Sequence, residues 1–259
     1  MKCRGRSLGG PEHVQRRMNE FERKDDLDIR GLHIWQDKRE FCFGVDAVLL
    51  SSFCEVRKGD RVLDLCSGNG IVPILLAGKT EAGSITGLEI NPVQTALARR
   101  SFSENGLRHV RMVDGDVKDA KQIFAGLEFD VICVNPPYIK DGRMQNPSRG
   151  KAIARHEILC TLSDVLHSAA SLLRYGGRFY MVHRPDRLTD ILDEMRAFKL
   201  EPKRLRTVHT KRGGEAKLVL VEGALGGGTF LHIMPPLIIY NDDGTYTEEL
   251  ESQYGRDTK

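Results

Sequence analysis

Val62-Leu63-Asp64-Leu65-Cys66-Ser67-Gly68-Asn69-Gly70 decides the fold. A short apolar run ends at a carboxylate and a turn with two glycines. Ile71 to Ala77, an apolar run of helical length, follows at once. A strand that passes to a helix through a glycine turn is the opening unit of a βα repeat. The same alternation recurs downstream. Strands are expected at Ser84–Ile90, His109–Val113, Phe129–Val134 and Arg178–His183, then near Leu205–Thr210 and Lys217–Glu222. Helices are expected from Asn91-Pro92 to about Asn105, near Lys118–Ala125, over about Ile158–Leu173 and over about Leu188–Phe198. Asn91 suits a cap and Pro92 a first turn, and Gly176-Gly177 suits a helix end. The pattern predicts an α/β fold with a mostly parallel seven-stranded sheet and helices on both faces.

Upstream, apolar residues alternate from Asp26 to Phe43, with the polar break Gln36-Asp37-Lys38-Arg39-Glu40 as the expected hairpin turn. Val45 to Phe53 reads as an apolar helix. Residues 1–24 read as a flexible basic arm, 25–57 as a hairpin and helix packed on the core, 58–225 as the main domain and 226–259 as an extended, acidic, Pro-broken tail.

Sheets of this kind bind ligands beyond the carboxyl ends of their strands. Asp64, Glu89, Asp116 and Asn135 all fall at or just after expected strand ends. Gly68 and Gly70 let the backbone approach a ligand. A dinucleotide fingerprint would place a third glycine where Pro73 stands, which argues against a nicotinamide cofactor. Asp64 would also repel a pyrophosphate, whereas it would attract the ammonium and sulfonium of S-adenosylmethionine. In that reading Glu89 accepts from ribose hydroxyls, Asp116 accepts from the adenine amino group, and Val117 covers the ring.

Asn135-Pro136-Pro137-Tyr138 ends the fourth strand, because proline cannot continue a central ladder. An exocyclic amino group on adenine is a poor nucleophile, since its lone pair is delocalised into the ring. Two acceptors, the Asn135 side-chain oxygen and the Pro136 carbonyl, would hold its hydrogens out of plane. Tyr138 would stack on the unstacked base. No metal is needed, since positioning and fixed dipoles supply the rate.

With these residues the chain resembles the class I Rossmann-like methyltransferases carrying N-P-P-Y, and more closely the bacterial tRNA(Val) adenine-N6 methyltransferases. The similarity runs from about Asp25 to Gly255. It includes Phe41-x-Phe43-Gly44-x-Asp46-Ala47-Val48-Leu49-Leu50, the Asp64/Gly68/Gly70 loop, Pro235-Pro236-Leu237-Ile238-Ile239-Tyr240-Asn241 and Tyr246-Thr247. The resemblance implies N6 methylation of the adenosine just 3′ of the anticodon in valine tRNA. Residues 1–19 depart from the family pattern.

A basic stretch follows the N-P-P-Y motif, with Lys140, Arg143, Arg149, Lys151 and Arg155. A second cluster holds Lys203, Arg204, Arg206, Lys211, Arg212 and Lys217. Of these, Lys140, Arg143, Arg149, Lys151, Arg155, Lys211 and Arg212 are candidate RNA contacts, since basic clusters position phosphates.

The composition fits this reading. There are 39 Lys and Arg against 36 Asp and Glu, so the slight excess of +3 permits an acidic partner without demanding one. The six cysteines form no CxxC pair, which argues against zinc and for reduced core thiols, Cys66 and Cys133 among them. No apolar run has membrane-spanning length and no secretory signal is evident, so a cytoplasmic monomer is expected. The rival enzyme is a protein glutamine N5-methyltransferase, which shares N-P-P-Y. That family carries a helical N-terminal domain and tends to have a Gly-Gly stretch soon after the motif, where this chain has Ala152-Ile153-Ala154-Arg155-His156-Glu157. Methylation of an amino group in rRNA or DNA is a further alternative. From another class, an RNA-binding protein on the same fold would have lost some of Asp64, Glu89, Asp116 or Asn135, and all four are present.

Overall fold

The computed structural model describes residues 20–40, 42–137 and 160–255. Strands β1 (Glu22–Asp26) and β2 (His33–Asp37) form an antiparallel hairpin ahead of helix α1 (Val45–Phe53). The repeat then runs β3 (Arg61–Leu65), α2 (Ile71–Lys79), β4 (Ser84–Glu89), α3 (Pro92–Glu104), β5 (Val110–Asp114), α4 (Ala120–Ile123) and β6 (Phe129–Val134). After the N-P-P segment come α5 (Leu162–Leu172), β7 (Leu173–His183), α6 (Leu188–Ala197), β8 (Leu200–His209) and β9 (Ala216–Leu225). The tail adds β10 (His232–Ile233), β11 (Leu237–Ile238) and α7 (Glu248–Gln253).

The main sheet has the order β5-β4-β3-β6-β7-β9-β8-β10, and β11 also pairs with β8. Strands β3 to β7 are parallel, and β9 runs antiparallel between β7 and β8. All seven expected strands are present. Strand β3 sits at the centre, with Val62, Leu63, Asp64 and Leu65 buried, as a parallel strand covered on both faces must be. Val62 packs with α1, α2 and α3 on one side, while Leu63 and Leu65 pack with α4, α5 and α6 on the other. Local signals start the helices where expected. Asn91 caps α3 by accepting from Val93 N at 2.9 Å, with Pro92 in the first turn. Thr161 and Asp164 close a capping box on α5.

Four expectations are corrected. The hairpin turn lies at Leu27–Leu32, where Asp28, Arg30 and Gly31 take positive φ, and not at Gln36–Glu40. Gln36 and Asp37 instead finish β2 and are buried. They tolerate burial because they are paired. Gln36 donates to Asp25 and accepts from Phe43 N, while Asp37 receives Arg39 Nε at 3.0 Å and Nη2 at 2.6 Å. Gly176-Gly177 does not terminate α5, which ends at Leu172. Both glycines lie within β7, beside a register shift against β6. A Cβ on Gly177 would stand 2.8 Å from Arg174 O and 3.3 Å from Asp130 O, so the bulge requires glycine there. The tail is not simply extended, since its two short strands continue the sheet beyond β8. Of the basic arm expected over 1–24, residues 1–19 lie outside the described residues, while Glu22–Lys24 belong to β1 and pair with β2.

Candidate active site

The turn after β3 is tied to its neighbours by backbone bonds. Ser67 N donates to Leu88 O at 3.0 Å, and Gly70 N donates to Ser67 O at 3.0 Å. Gly68 N donates to Glu89 Oε2 at 2.9 Å, and Glu89 Oε1 accepts from Asn91 N at 2.8 Å. Glu89 therefore clamps the glycine turn to the end of β4, and each oxygen retains a lone pair for a second donor.

A cavity of about 310 Å³ opens at the carboxyl ends of β3, β4, β5 and β6. Asp64, Gly68, Glu89, Asp116, Val117, Asn135 and Pro136 all line it. Gly70 does not. It caps α2 at φ 79°, and a Cβ there would stand 2.6 Å from Phe102 Cζ and 3.0 Å from Ala98 Cβ. Its glycine therefore serves the packing of α2 on α3. Gly70→Ala should lower stability by about 2 to 4 kcal/mol through positive φ and overpacking. A urea unfolding curve with an unchanged midpoint would contradict this packing role.

Gly68 differs: at φ 55° a Cβ would meet nothing within 4 Å, so the turn offers open space to a ligand. Asp64 is 1% exposed. Its Oδ1 lies 3.5 Å from Cys133 Sγ, and its buried Oδ2 has no hydrogen-bond partner among the described residues. Burial pushes its pKa up to about 7, against the pull of nearby Ser67 and Cys133 and with the repulsion of Glu89. A buried carboxylate with an orphaned oxygen beside an open glycine turn fits a ligand that brings a positive charge and donors. Asp116 Oδ1 accepts from Lys118 N at 3.0 Å, which fixes the turn that places Val117. Of the two cysteines expected in the core, Cys133 is buried, but Cys66 lies past the strand end at φ 55° and lines the cavity.

Asn135 stands at the end of β6. Its Nδ2 donates to Asp46 Oδ2 at 3.0 Å. Pro136 and Pro137 also line the cavity. Tyr138, Lys140, Arg143, Arg149, Lys151 and Arg155 lie outside the described residues. Lys211 and Arg212 are exposed in the loop joining β8 to β9. Because β8 runs in the same direction as β7, that loop lies at the cavity end of the sheet. Other members of the second basic cluster have structural partners. Arg204 pairs with Glu222 and Glu55, and Arg206 pairs with Glu249 at 2.5 Å.

The cavity residues that the sequence reading did not name as site residues include Asp46 and Glu40. Asp46, in the first turn of α1, reaches Asn135 across 89 positions. Glu40 accepts from Asn91 Nδ2 at 3.0 Å and closes the rim. The Gly44-x-Asp46 pattern was the available signal for the first, while Glu40 looked like turn polarity.

Among the described residues, no three His, Cys, Asp or Glu side chains are grouped to hold a metal ion, and no helix is long and apolar enough to cross a membrane.

The family profile described as methyltransferase small domain matches residues 44–198. The tRNA1(Val) (adenine(37)-N6)-methyltransferase of Bacteroides thetaiotaomicron is 28% identical over 228 residues, covering 86% of this chain and 87% of the relative. A protein of the same name from Bacteroides fragilis is 30% identical over 190 residues, covering 73% of this chain and 79% of the relative. The crystal structure of a predicted O-methyltransferase from Agrobacterium tumefaciens shares the fold, with a TM-score of 0.67 at 22% identity over 83% of this chain and 98% of that one. The chain is a class I S-adenosylmethionine-dependent methyltransferase and belongs to the methyltransferase small domain family.

Proposed function

We propose that this enzyme methylates the N6 amino group of an adenine in RNA, and that its substrate is the adenosine at position 37 of valine tRNA. The observation that carries the reading is the Asn135 amide at the cavity rim, with its nitrogen held by Asp46 and Pro136 beside it. The relatives named for tRNA1(Val) adenine-37 methylation support the choice of substrate.

S-adenosylmethionine bound there would supply an electrophilic methyl group to the N6 lone pair, with the electrons of the broken carbon–sulfur bond staying on sulfur. Asp64 would hold its positive methionine end, Gly68 would give it room, Glu89 would accept from the ribose, and Asp116 with Val117 would take the adenine. Asn135 Oδ1 and the Pro136 carbonyl accept from the two N6 hydrogens of the target base, one of which is later released as a proton to water. That geometry takes the N6 lone pair out of conjugation with the ring and leaves it free to attack. Tyr138 stacks on the extruded base. Residues 58–225 form the catalytic domain in this reading, with the described residues of 25–57 and of the tail, 226–255, packed against it.

Lys211 and Arg212 contact tRNA phosphates, together with the basic residues that follow N-P-P-Y. Reversing both charges, with Lys211→Glu and Arg212→Glu, should raise the KM for tRNA about tenfold or more. The salt dependence of binding should become shallower by roughly two phosphate contacts. Titration of tRNA at several salt concentrations checks this, and an unchanged slope would remove the loop from the interface.

The reading is tested by supplying labelled S-adenosylmethionine with both tRNA lacking the modification and a bacterial protein extract. Label is expected in tRNA. Label in protein would favour the glutamine alternative instead.

A further inference from the structure

We infer that Asp46 is a positioning residue, which fixes the Asn135 amide with its oxygen turned to the target amino group. The inference rests on reading Asn135 as an acceptor for that group.

The chemistry of the contact sets the orientation. An ionised carboxylate only accepts hydrogen bonds, so the pole of the Asn135 amide that faces it must be the NH2. Asp46 Oδ2 receives that nitrogen at 3.0 Å. The same carboxylate is itself held, since Oδ1 accepts from Ala47 N at 3.0 Å. Its backbone belongs to the first turn of α1, whose next residues, Ala47 to Leu50, are buried in the core. The amide is thus referenced to a rigid element 89 positions away. Removing the carboxylate removes its bias against the amide turned over by half a revolution. The turned amide would present NH2 donors to an amino group that is itself a donor, and the acceptor would be lost. Accepting from Nδ2 also draws charge toward Oδ1, which strengthens it as an acceptor.

Gly44 fits the same device. A Cβ at that position would stand 2.9 Å from Asp46 Oδ1. Gly44 has φ −117° and ψ −173°, which any residue can adopt, so conformation does not demand glycine there. The demand is for space beside the carboxylate. Because the atom it would strike is the end of a side chain, an added methyl would push the carboxylate aside and leave the fold intact.

The test compares Asp46→Ala, Asp46→Asn and Gly44→Ala, each alone and with Asn135→Ala, in single-turnover assays on tRNA. Calorimetry of S-adenosylmethionine binding on each variant reports both folding and cofactor affinity. Asp46→Ala should lower the rate about 100-fold, the scale of a misplaced reacting group, with cofactor affinity and the KM for tRNA little changed. Asp46→Asn retains an oxygen acceptor for Nδ2 and should recover most of the loss. Gly44→Ala should fall toward the Asp46→Ala level. In the Asn135→Ala background, none should lower the rate further.

A wild-type rate in Asp46→Ala would overturn the inference, as would a loss that multiplies in full on Asn135→Ala. If Asp46→Ala fails to fold, a fully active Gly44→Ala that binds cofactor overturns it. An impaired Asn135→Ala beside an unimpaired Asp46→Ala removes this inference alone. A wild-type rate in Asn135→Ala removes the acceptor reading as well.

Discussion

Asn135→Ala should lower kcat about 100- to 1,000-fold while changing S-adenosylmethionine affinity by no more than about threefold. The magnitude is that of deleting one preorganised polar partner from a transition state. Two features of the site make the effect fall on kcat. Asn135 lies at the end of β6, whereas the residues proposed to hold the cofactor lie at the ends of β3, β4 and β5. Its amide is also already oriented by Asp46, so the acceptor is in place before substrate arrives and little of its value goes into ground-state binding. Asn135→Asp is a useful companion. It keeps an oxygen in place but sets a second carboxylate beside Asp46, and the repulsion should leave it well below wild type. Steady-state kinetics on tRNA with calorimetry of cofactor binding separates the two quantities. A lowered cofactor affinity with unchanged kcat would move Asn135 out of the reacting centre.

Asp64→Ala should weaken S-adenosylmethionine binding about 10- to 100-fold, the scale of a lost hydrogen bond to a charged group. The pH dependence of the native protein is the sharper expectation. Burial raises the Asp64 pKa from 3.8 to about 7. Between those values the folded protein keeps a proton that the unfolded chain has lost, so this group contributes stability at low pH that is lost as pH rises through about 7. A positively charged ligand favours the ionised carboxylate and reverses the trend. The rise in melting temperature caused by S-adenosylmethionine should therefore be larger at about pH 8 than at about pH 5.5. Asp64→Asn should flatten both dependences. Melting curves with and without cofactor at the two pH values measure them. An equal cofactor-induced shift at both pH values, or an unchanged profile in Asp64→Asn, would show that Asp64 does not meet the cationic end.

The βα core was legible because parallel strands covered on both faces are near-continuous apolar runs, and the polar residues that break them fall at strand ends. Val62 to Leu65 and Phe129 to Val134 are of this kind. The errors arose where polarity or glycine had a tertiary meaning. Gln36 and Asp37 read as a turn because two polar residues in succession are rarely buried, and their partners Asp25, Phe43 and Arg39 are visible only in the fold. Gly176-Gly177 read as a helix stop because a β-bulge demands the same residue. Gly70 shows the limit within the motif itself. Two glycines two positions apart look equivalent, yet one opens onto the cavity and the other makes room for Phe102. The cavity-lining residues Asp64, Glu89 and Asp116 could be read from local position after successive strands. The Gly44-x-Asp46 pattern marked Asp46 without its partner, because the contact with Asn135 exists only when α1 and the end of β6 come together.

The central claim is that the site methylates an adenine N6 in valine tRNA. The most direct measurement is nucleoside analysis by mass spectrometry of unmodified valine tRNA after reaction with the purified enzyme and S-adenosylmethionine, with a second transcript carrying guanosine at position 37. The account predicts N6-methyladenosine in the first and no methylation of the second. A methyl group on a ring nitrogen, on another nucleoside, or equally on both transcripts would contradict it.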